Sequence, residues 1–115
     1  MISLVREFTF DSAHNLRWNK GKCKNIHGHT YKLQVFVTGK LNKNGIIIDL
    51  KDLDKLVKKE VIELLDHTYI NKIVENPTLE NLSIWIWKRL KKRLNNLHEL
   101  RIWETPKSFV VYTGE

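Results

Sequence analysis

Apolar and polar residues alternate along the segment from Ile2 to Phe10, and a period of two sends successive side chains to opposite faces of a strand. The segment from Thr30 to Gly39 repeats the pattern, with Leu33, Val35 and Val37 on one face and Gln34, Phe36 and Thr38 on the other. Two paired strands are predicted. Residues Asn15 to Asn25 form a loop between them that contains Gly21, and Asn42-Lys43-Asn44-Gly45 marks a turn after the second strand.

Beyond that turn the period changes. Asp49 is a good N-cap, and Leu50, Leu53, Leu56, Val57, Val61, Leu64 and Leu65 follow at steps of three and four, the stripe of a helix laid on a sheet. A second helix is predicted near Thr78, just after Pro77, with Leu79, Leu82, Ile86, Leu90, Leu94 and Leu97 in register. Trp85 and Trp87 extend its apolar surface, and Trp87, off the main stripe, either packs on another element or subunit or is a partly buried surface residue. Leu100, Ile102, Phe109, Val110 and Val111 belong to two last strands joined at Glu104-Thr105-Pro106-Lys107. The order ββααββ reads as one α+β domain over residues 1–115.

With 115 residues and 42% hydrophobic content, the chain has material for a single core and none for a separate cofactor domain. A reacting domain this small commonly completes its pocket with a neighbouring subunit, so a homo-oligomer is expected. No run of about 18 apolar residues occurs and the N-terminus lacks a signal-peptide core; a soluble cytoplasmic protein, with no membrane partner, is expected. The one cysteine has no internal partner and would stay reduced there. Neither a glycine-rich phosphate loop nor a G-x-G-x-x-G fingerprint is present, which argues against a nucleotide cofactor.

A net charge of +7 suits either nucleic acid or an anionic small molecule. Lys58, Lys59, Lys88, Lys91 and Lys92 read as solvated helix faces, whereas Arg17, Lys20, Lys22 and Lys24 crowd the loop around Cys23. The second group could attract a polyphosphate, although basic loops without function are as common.

The sharpest chemical signal is Cys23-Lys24-Asn25-Ile26-His27-Gly28-His29. Imidazoles at i and i+2 of an extended segment point the same way and can grip one metal ion. His14, closing Phe10-Asp11-Ser12-Ala13-His14, joins them if the two strands pair. Three nitrogen donors leave a coordination position for water or substrate, as in catalytic zinc sites. Cys23 is then either a fourth ligand closing a structural site or a base and nucleophile beside an open one. Its basic surroundings, and Asp66-His67 as a carboxylate-oriented relay, favour the base. Taken alone, His67 reads as a helix C-terminal cap, Glu80 as an acid suited to a helix N-terminus, Glu104 as a strand-end carboxylate, and His98 as exposed.

In this order the residues resemble the 6-pyruvoyl-tetrahydropterin synthase and 6-carboxytetrahydropterin synthase family nearly end to end. The landmarks are Phe10-Asp11-Ser12-Ala13-His14, Cys23-x-x-x-His27-Gly28-His29, Leu65-Asp66-His67, Pro77-Thr78-Leu79-Glu80-Asn81-Leu82, Trp103-Glu104-Thr105 and Val110-Val111-Tyr112-Thr113-Gly114-Glu115. The resemblance implies the tunnelling fold (T-fold), a four-stranded antiparallel sheet with two helices on one face. It also implies a homohexamer, a dimer of trimers, with active sites between subunits. It makes His14, His27 and His29 zinc ligands, Cys23, Asp66 and His67 catalytic, and Glu104 the pterin anchor, its carboxylate accepting adjacent N–H donors. Thr78 and Glu80 help to shape the pocket.

The implied substrate is a pterin triphosphate, 7,8-dihydroneopterin triphosphate. The gap of three residues between Cys23 and His27 resembles the 6-carboxytetrahydropterin synthases, which release acetaldehyde and triphosphate on the route to 7-deazaguanine nucleosides such as queuosine. A longer gap typifies the 6-pyruvoyl enzymes, the alternative reading. A branch serving folate synthesis places a glutamate near this loop, and none lies between Asp11 and Thr30. An RNA-binding module would explain the charge but lacks an RNP-type aromatic strand or a G-x-x-G clamp, so no direct nucleic-acid partner is expected. A structural zinc domain would require Cys23 to hold the metal.

Overall fold

The computed structural model describes residues 1–115. Strands β1 (Ser3–His14) and β2 (His27–Thr38) pair antiparallel without a break, from Ser3 opposite Thr38 to His14 opposite His27. Both reach further toward the intervening loop than the apolar alternation indicates, because the inward positions there are Ser12, His14, His27 and His29. Along the inward face the layers run Phe8 with Leu33, Phe10 with Tyr31, Ser12 with His29, and His14 with His27. The first two layers are core. The last two carry chemistry.

Helix α1 (Leu50–Val57) is capped by Asp49, whose carboxylate accepts from the N–H groups of Lys51 at 2.8 Å and Asp52 at 3.3 Å. It continues through a π-helical stretch, Lys58–Ile62, and a final turn, Glu63–Leu65. Arg89 serves the wider turn, its Nε donating to the Glu60 carbonyl at 2.7 Å and its Nη2 to the Glu60 carboxylate at 2.8 Å. Helix α2 (Leu79–Lys91) starts as expected after Pro77, with Thr78 accepting from the Asn81 N–H at 3.1 Å.

The helix ends before Leu94, and Leu97 opens strand β4 (Leu97–Thr105) rather than extending the helical stripe. The intervening Asn95 and Asn96 are poor helix formers that let the chain reverse. Strand β5 (Ser108–Tyr112) returns beside β4. The sheet has five strands, not four, because the two-residue β3 (Thr68–Tyr69) lies parallel to β1, opposite Ser12 and Ala13. The strand order is β3-β1-β2-β4-β5.

Leu33, Val35 and Val37 of the sheet meet Leu53, Val57, Val61 and Leu65 from the first helical segment and Leu82, Ile86 and Leu90 from α2, all fully buried. The opposite sheet face carries paired polar groups such as Glu7 and Gln34, 2.9 Å apart. That is the alternation expected of an antiparallel sheet covered on one side. Trp87 packs edge-on against Tyr112 at 5.4 Å, within its own chain. No helix is long and apolar enough to cross a membrane.

Candidate active site

Because His14 and His27 are cross-strand partners and His29 lies two residues along the same face, strand pairing alone gathers the three rings. Their centroids are 4.7, 5.1 and 4.9 Å apart, and one ligand nitrogen from each lies within 4.8 Å of the others. His14 is fully buried. The half-buried Cys23, on a short 3-10 turn at Lys22–Lys24, stands outside this group.

Backbone carbonyls orient two of the rings. His14 Nδ1 donates to the Pro77 carbonyl at 2.9 Å, and His27 Nδ1 to the Asn25 carbonyl at 2.7 Å. A carbonyl only accepts, so each Nδ1 carries the proton and, in the neutral ring, each Nε2 presents a lone pair. Those two Nε2 atoms face each other at 3.1 Å. Two lone pairs at that range repel unless a cation lies between them. Nε2 of His29 is buried and without a hydrogen-bond partner. Oε1 of Glu104 comes within 3.2 Å of it, an ion-pair distance lacking hydrogen-bond alignment.

Burial lowers the pKa of His29 below the ordinary histidine value, Glu104 opposes that shift, and the neighbouring His14 and His27 reinforce it. The neutral ring that a metal requires is thereby favoured. Three convergent imidazole nitrogens, carbonyls on two Nδ1 atoms and one orphaned nitrogen fit a zinc ion. Beneath them Tyr31 is 1% exposed, its hydroxyl also unpartnered. Burial, and then the Glu104 charge, pushes its phenol well above the usual tyrosine range.

At the start of β3, His67 adopts φ +57°, a left-handed conformation that turns the chain out of the helical segment. Its N–H donates to the Asp11 carbonyl at 2.6 Å, and the Asp11 N–H donates to the Asp66 carboxylate at 2.9 Å. Asp66 Oδ1 in turn lies 3.1 Å from His67 Nδ1. Ser12 seals the same junction by donating to the Leu65 carbonyl. The imidazole of His67 is 79% exposed, so its Nε2 is free to serve a group from outside.

A cavity of about 540 Å³ runs from His67 and Thr68 to Gly28, His29 and Thr30. Another of about 500 Å³ runs from His29 and Thr30 to Trp103, Glu104 and Pro106. His29 lies between them, so the relay pair and the acidic candidate approach the imidazole cluster from opposite sides. Thr78 and Glu80 line neither cavity. Thr78 caps α2 next to the Pro77 carbonyl that holds His14, and the side chain of Glu80 is exposed.

Reading the sequence did not single out Asp11, Thr30 or Tyr31, nor the carbonyls of Asn25 and Pro77. Thr30 and Tyr31 follow His-Gly-His directly, and strand alternation places Tyr31 on the histidine face. Nothing in residue type could reveal the backbone acceptors.

Comparison with known proteins agrees with this fold. The family described as 6-pyruvoyl tetrahydropterin synthase matches residues 3–115. A Haemophilus influenzae protein named 6-carboxy-5,6,7,8-tetrahydropterin synthase is 37% identical over 139 residues, covering 97% of this chain and 99% of its own. A Pyrococcus furiosus dihydroneopterin monophosphate aldolase is 38% identical over 104 residues, covering 88% of each. The structure of Caenorhabditis elegans 6-pyruvoyl tetrahydropterin synthase superposes with a TM-score of 0.89 at 30% identity, covering 99% of this chain and 96% of that one. With the fold and nearly the whole length in agreement, the chain belongs to the 6-pyruvoyl tetrahydropterin synthase family.

Proposed function

We propose that the protein is a zinc-dependent 6-carboxy-5,6,7,8-tetrahydropterin synthase. It converts 7,8-dihydroneopterin triphosphate and water to 6-carboxytetrahydropterin, acetaldehyde and triphosphate, a step toward 7-deazaguanine nucleosides such as queuosine. The observation that carries the reading is the convergence of the His14, His27 and His29 nitrogens with Nε2 of His29 buried and unpartnered. The three-residue gap from Cys23 to His27 and the likeness to the Haemophilus protein favour the carboxy product.

His14, His27 and His29 would hold zinc, which when bound acts as a Lewis acid on a side-chain hydroxyl of the substrate. Cys23 takes a proton from the side chain. His67, oriented by Asp66, exchanges protons through its free Nε2. Protons move so that the side chain is oxidised as the ring is reduced, and no external reductant is required. The carboxylate of Glu104 accepts the paired N–H groups of the pterin ring, and Thr78 acts on the site only indirectly, by capping α2 beside the Pro77 carbonyl that holds His14. The basic residues Arg17, Lys20, Lys22 and Lys24 draw the triphosphate in. The exposure of His67 suits an active site shared between subunits of a cytoplasmic homohexamer.

The deciding experiment is product analysis by mass spectrometry after incubating zinc-loaded protein with dihydroneopterin triphosphate. Carboxytetrahydropterin with stoichiometric acetaldehyde is expected. A pyruvoyl product would instead assign the alternative 6-pyruvoyl activity. A parallel incubation with the monophosphate tests the activity named for the Pyrococcus relative, and turnover there alone would replace the reading.

A further inference from the structure

Two buried polar side-chain atoms in this protein have no hydrogen-bond partner, His29 Nε2 and the Tyr31 hydroxyl, and they belong to residues two apart on one strand face. A buried hydroxyl left unpaired costs stability, so its partner is sought in something that joins the site. The metal reading accounts for the nitrogen. It leaves the hydroxyl unexplained.

The Tyr31 ring has little freedom to find another partner. Phe10 stacks on it with centroids 5.0 Å apart and planes 9° from parallel, while the rings of His29 and His14 stand nearly perpendicular to it at 5.7 and 6.1 Å. With 1% of the residue exposed, the ring cannot swing out to water. Its hydroxyl is therefore held, buried and unpartnered, on a ring packed against two of the three histidines.

We propose that the Tyr31 hydroxyl donates a hydrogen bond to the oxygen atom, from water or from a substrate hydroxyl, that occupies the position the three histidines leave free. Tyr31 is thus a positioning residue that completes the metal centre without touching the metal. The proposal rests on the zinc reading above. It adds that an oxygen ligand there is oriented by protein and not by solvent alone.

The test compares wild type, Tyr31→Phe and His27→Ala by competition titration with Zn²⁺, by the visible spectrum of the Co²⁺-substituted protein, and by melting with and without zinc. Tyr31→Phe keeps the ring and its stacking. Its metal-free melting temperature should equal or exceed that of wild type, since only an unpaired hydroxyl is lost. Its zinc Kd should rise about tenfold, as for other groups that support a ligand, its Co²⁺ bands should shift, and its melting gain on adding zinc should shrink. An unchanged Kd and Co²⁺ spectrum would overturn the proposal while leaving the zinc site standing. So would a metal-free Tyr31→Phe protein that melts well below wild type, which would give the hydroxyl a partner within the fold. Wild type that binds no zinc, or binds it as tightly after His27→Ala, would remove the metal centre itself and the proposal with it.

Discussion

Asp11 holds Asp66 in place from across the sheet edge, its backbone N–H donating to the Asp66 carboxylate at 2.9 Å. That bond lowers the Asp66 pKa below the usual carboxylate value; burial opposes the shift and His67 reinforces it. A depressed folded-state pKa means the ionised form is the one the fold prefers. The stabilisation is therefore present above about pH 4, the unfolded carboxylate value, and is lost as pH falls through the lower folded value. Asp66→Asn should flatten the acid limb of stability measured by urea unfolding between pH 5 and 2, on the order of the range in which carboxylates titrate. An acid limb as steep as that of wild type would contradict the assignment.

Cys23 and the three histidines should separate cleanly by mutation. Cys23→Ala is expected to retain stoichiometric zinc while turnover falls by about 10²–10⁴-fold, the usual range for losing an acid–base group. Zinc lost together with activity, measured by atomic emission on dialysed protein, would place the thiol in the coordination sphere instead.

If the loop of Arg17, Lys20, Lys22 and Lys24 guides a polyanion, kcat/KM should fall as ionic strength rises. Lys22→Gln and Lys24→Gln should each lower kcat/KM and weaken that dependence. Stopped-flow or steady-state rates from low salt to about 0.5 M, where the Debye length is well under 10 Å, would expose an indifferent loop.

Arg89 supports a wide turn as well as a carboxylate. Arg89→Ala leaves both the Glu60 carbonyl and Oε2 without their donors, with only Arg93 remaining near Oε1 at 3.6 Å. A loss of about 2 kcal/mol in denaturant unfolding is expected, the scale of hydrogen bonds involving a charged group. Arg89→Lys should recover only part of it, because a single ammonium cannot reproduce the fork.

Gly114 stands against Trp87 with φ +90°, and an added Cβ would lie 2.5 Å from Cζ2 and 2.8 Å from Cε2 of the indole. Gly114→Ala should cost about 1–2 kcal/mol from the combined backbone strain and overlap. Most of the overlap part should vanish in a Trp87→Phe background. Additive losses in a double-mutant cycle would show that the two residues do not meet.

How much could be read from residues alone follows from what each feature depends on. The cap Asp49, the helix start near Thr78 and the inward row Leu33, Val35 and Val37 are local, and the structure has them where the sequence indicates. The ends of β1 and β2 were harder to see, because past Phe10 the buried row changes from apolar residues to Ser12 and His14 while keeping the same period. Leu97 matches the helical spacing by coincidence, and only the chain reversal after Leu94 assigns it to a strand. Strand β3 and the π-helical turn depend on contacts between distant segments, the Asp11 carbonyl meeting the His67 N–H and Arg89 meeting Glu60. The approach of Glu104 to His29 is likewise a product of β2–β4 pairing, which no local pattern encodes.

The acceptors that orient His14 and His27 are main-chain oxygens, supplied by Pro77 and Asn25. An oxygen of that kind survives any replacement of the side chain attached to it. A saturation scan of this protein would therefore report Asn25 as tolerant while the imidazole above it stayed correctly tautomerised. The vulnerability lies in the path of the loop, and it would be exposed by inserting or deleting a residue between Cys23 and His27 sooner than by any single exchange.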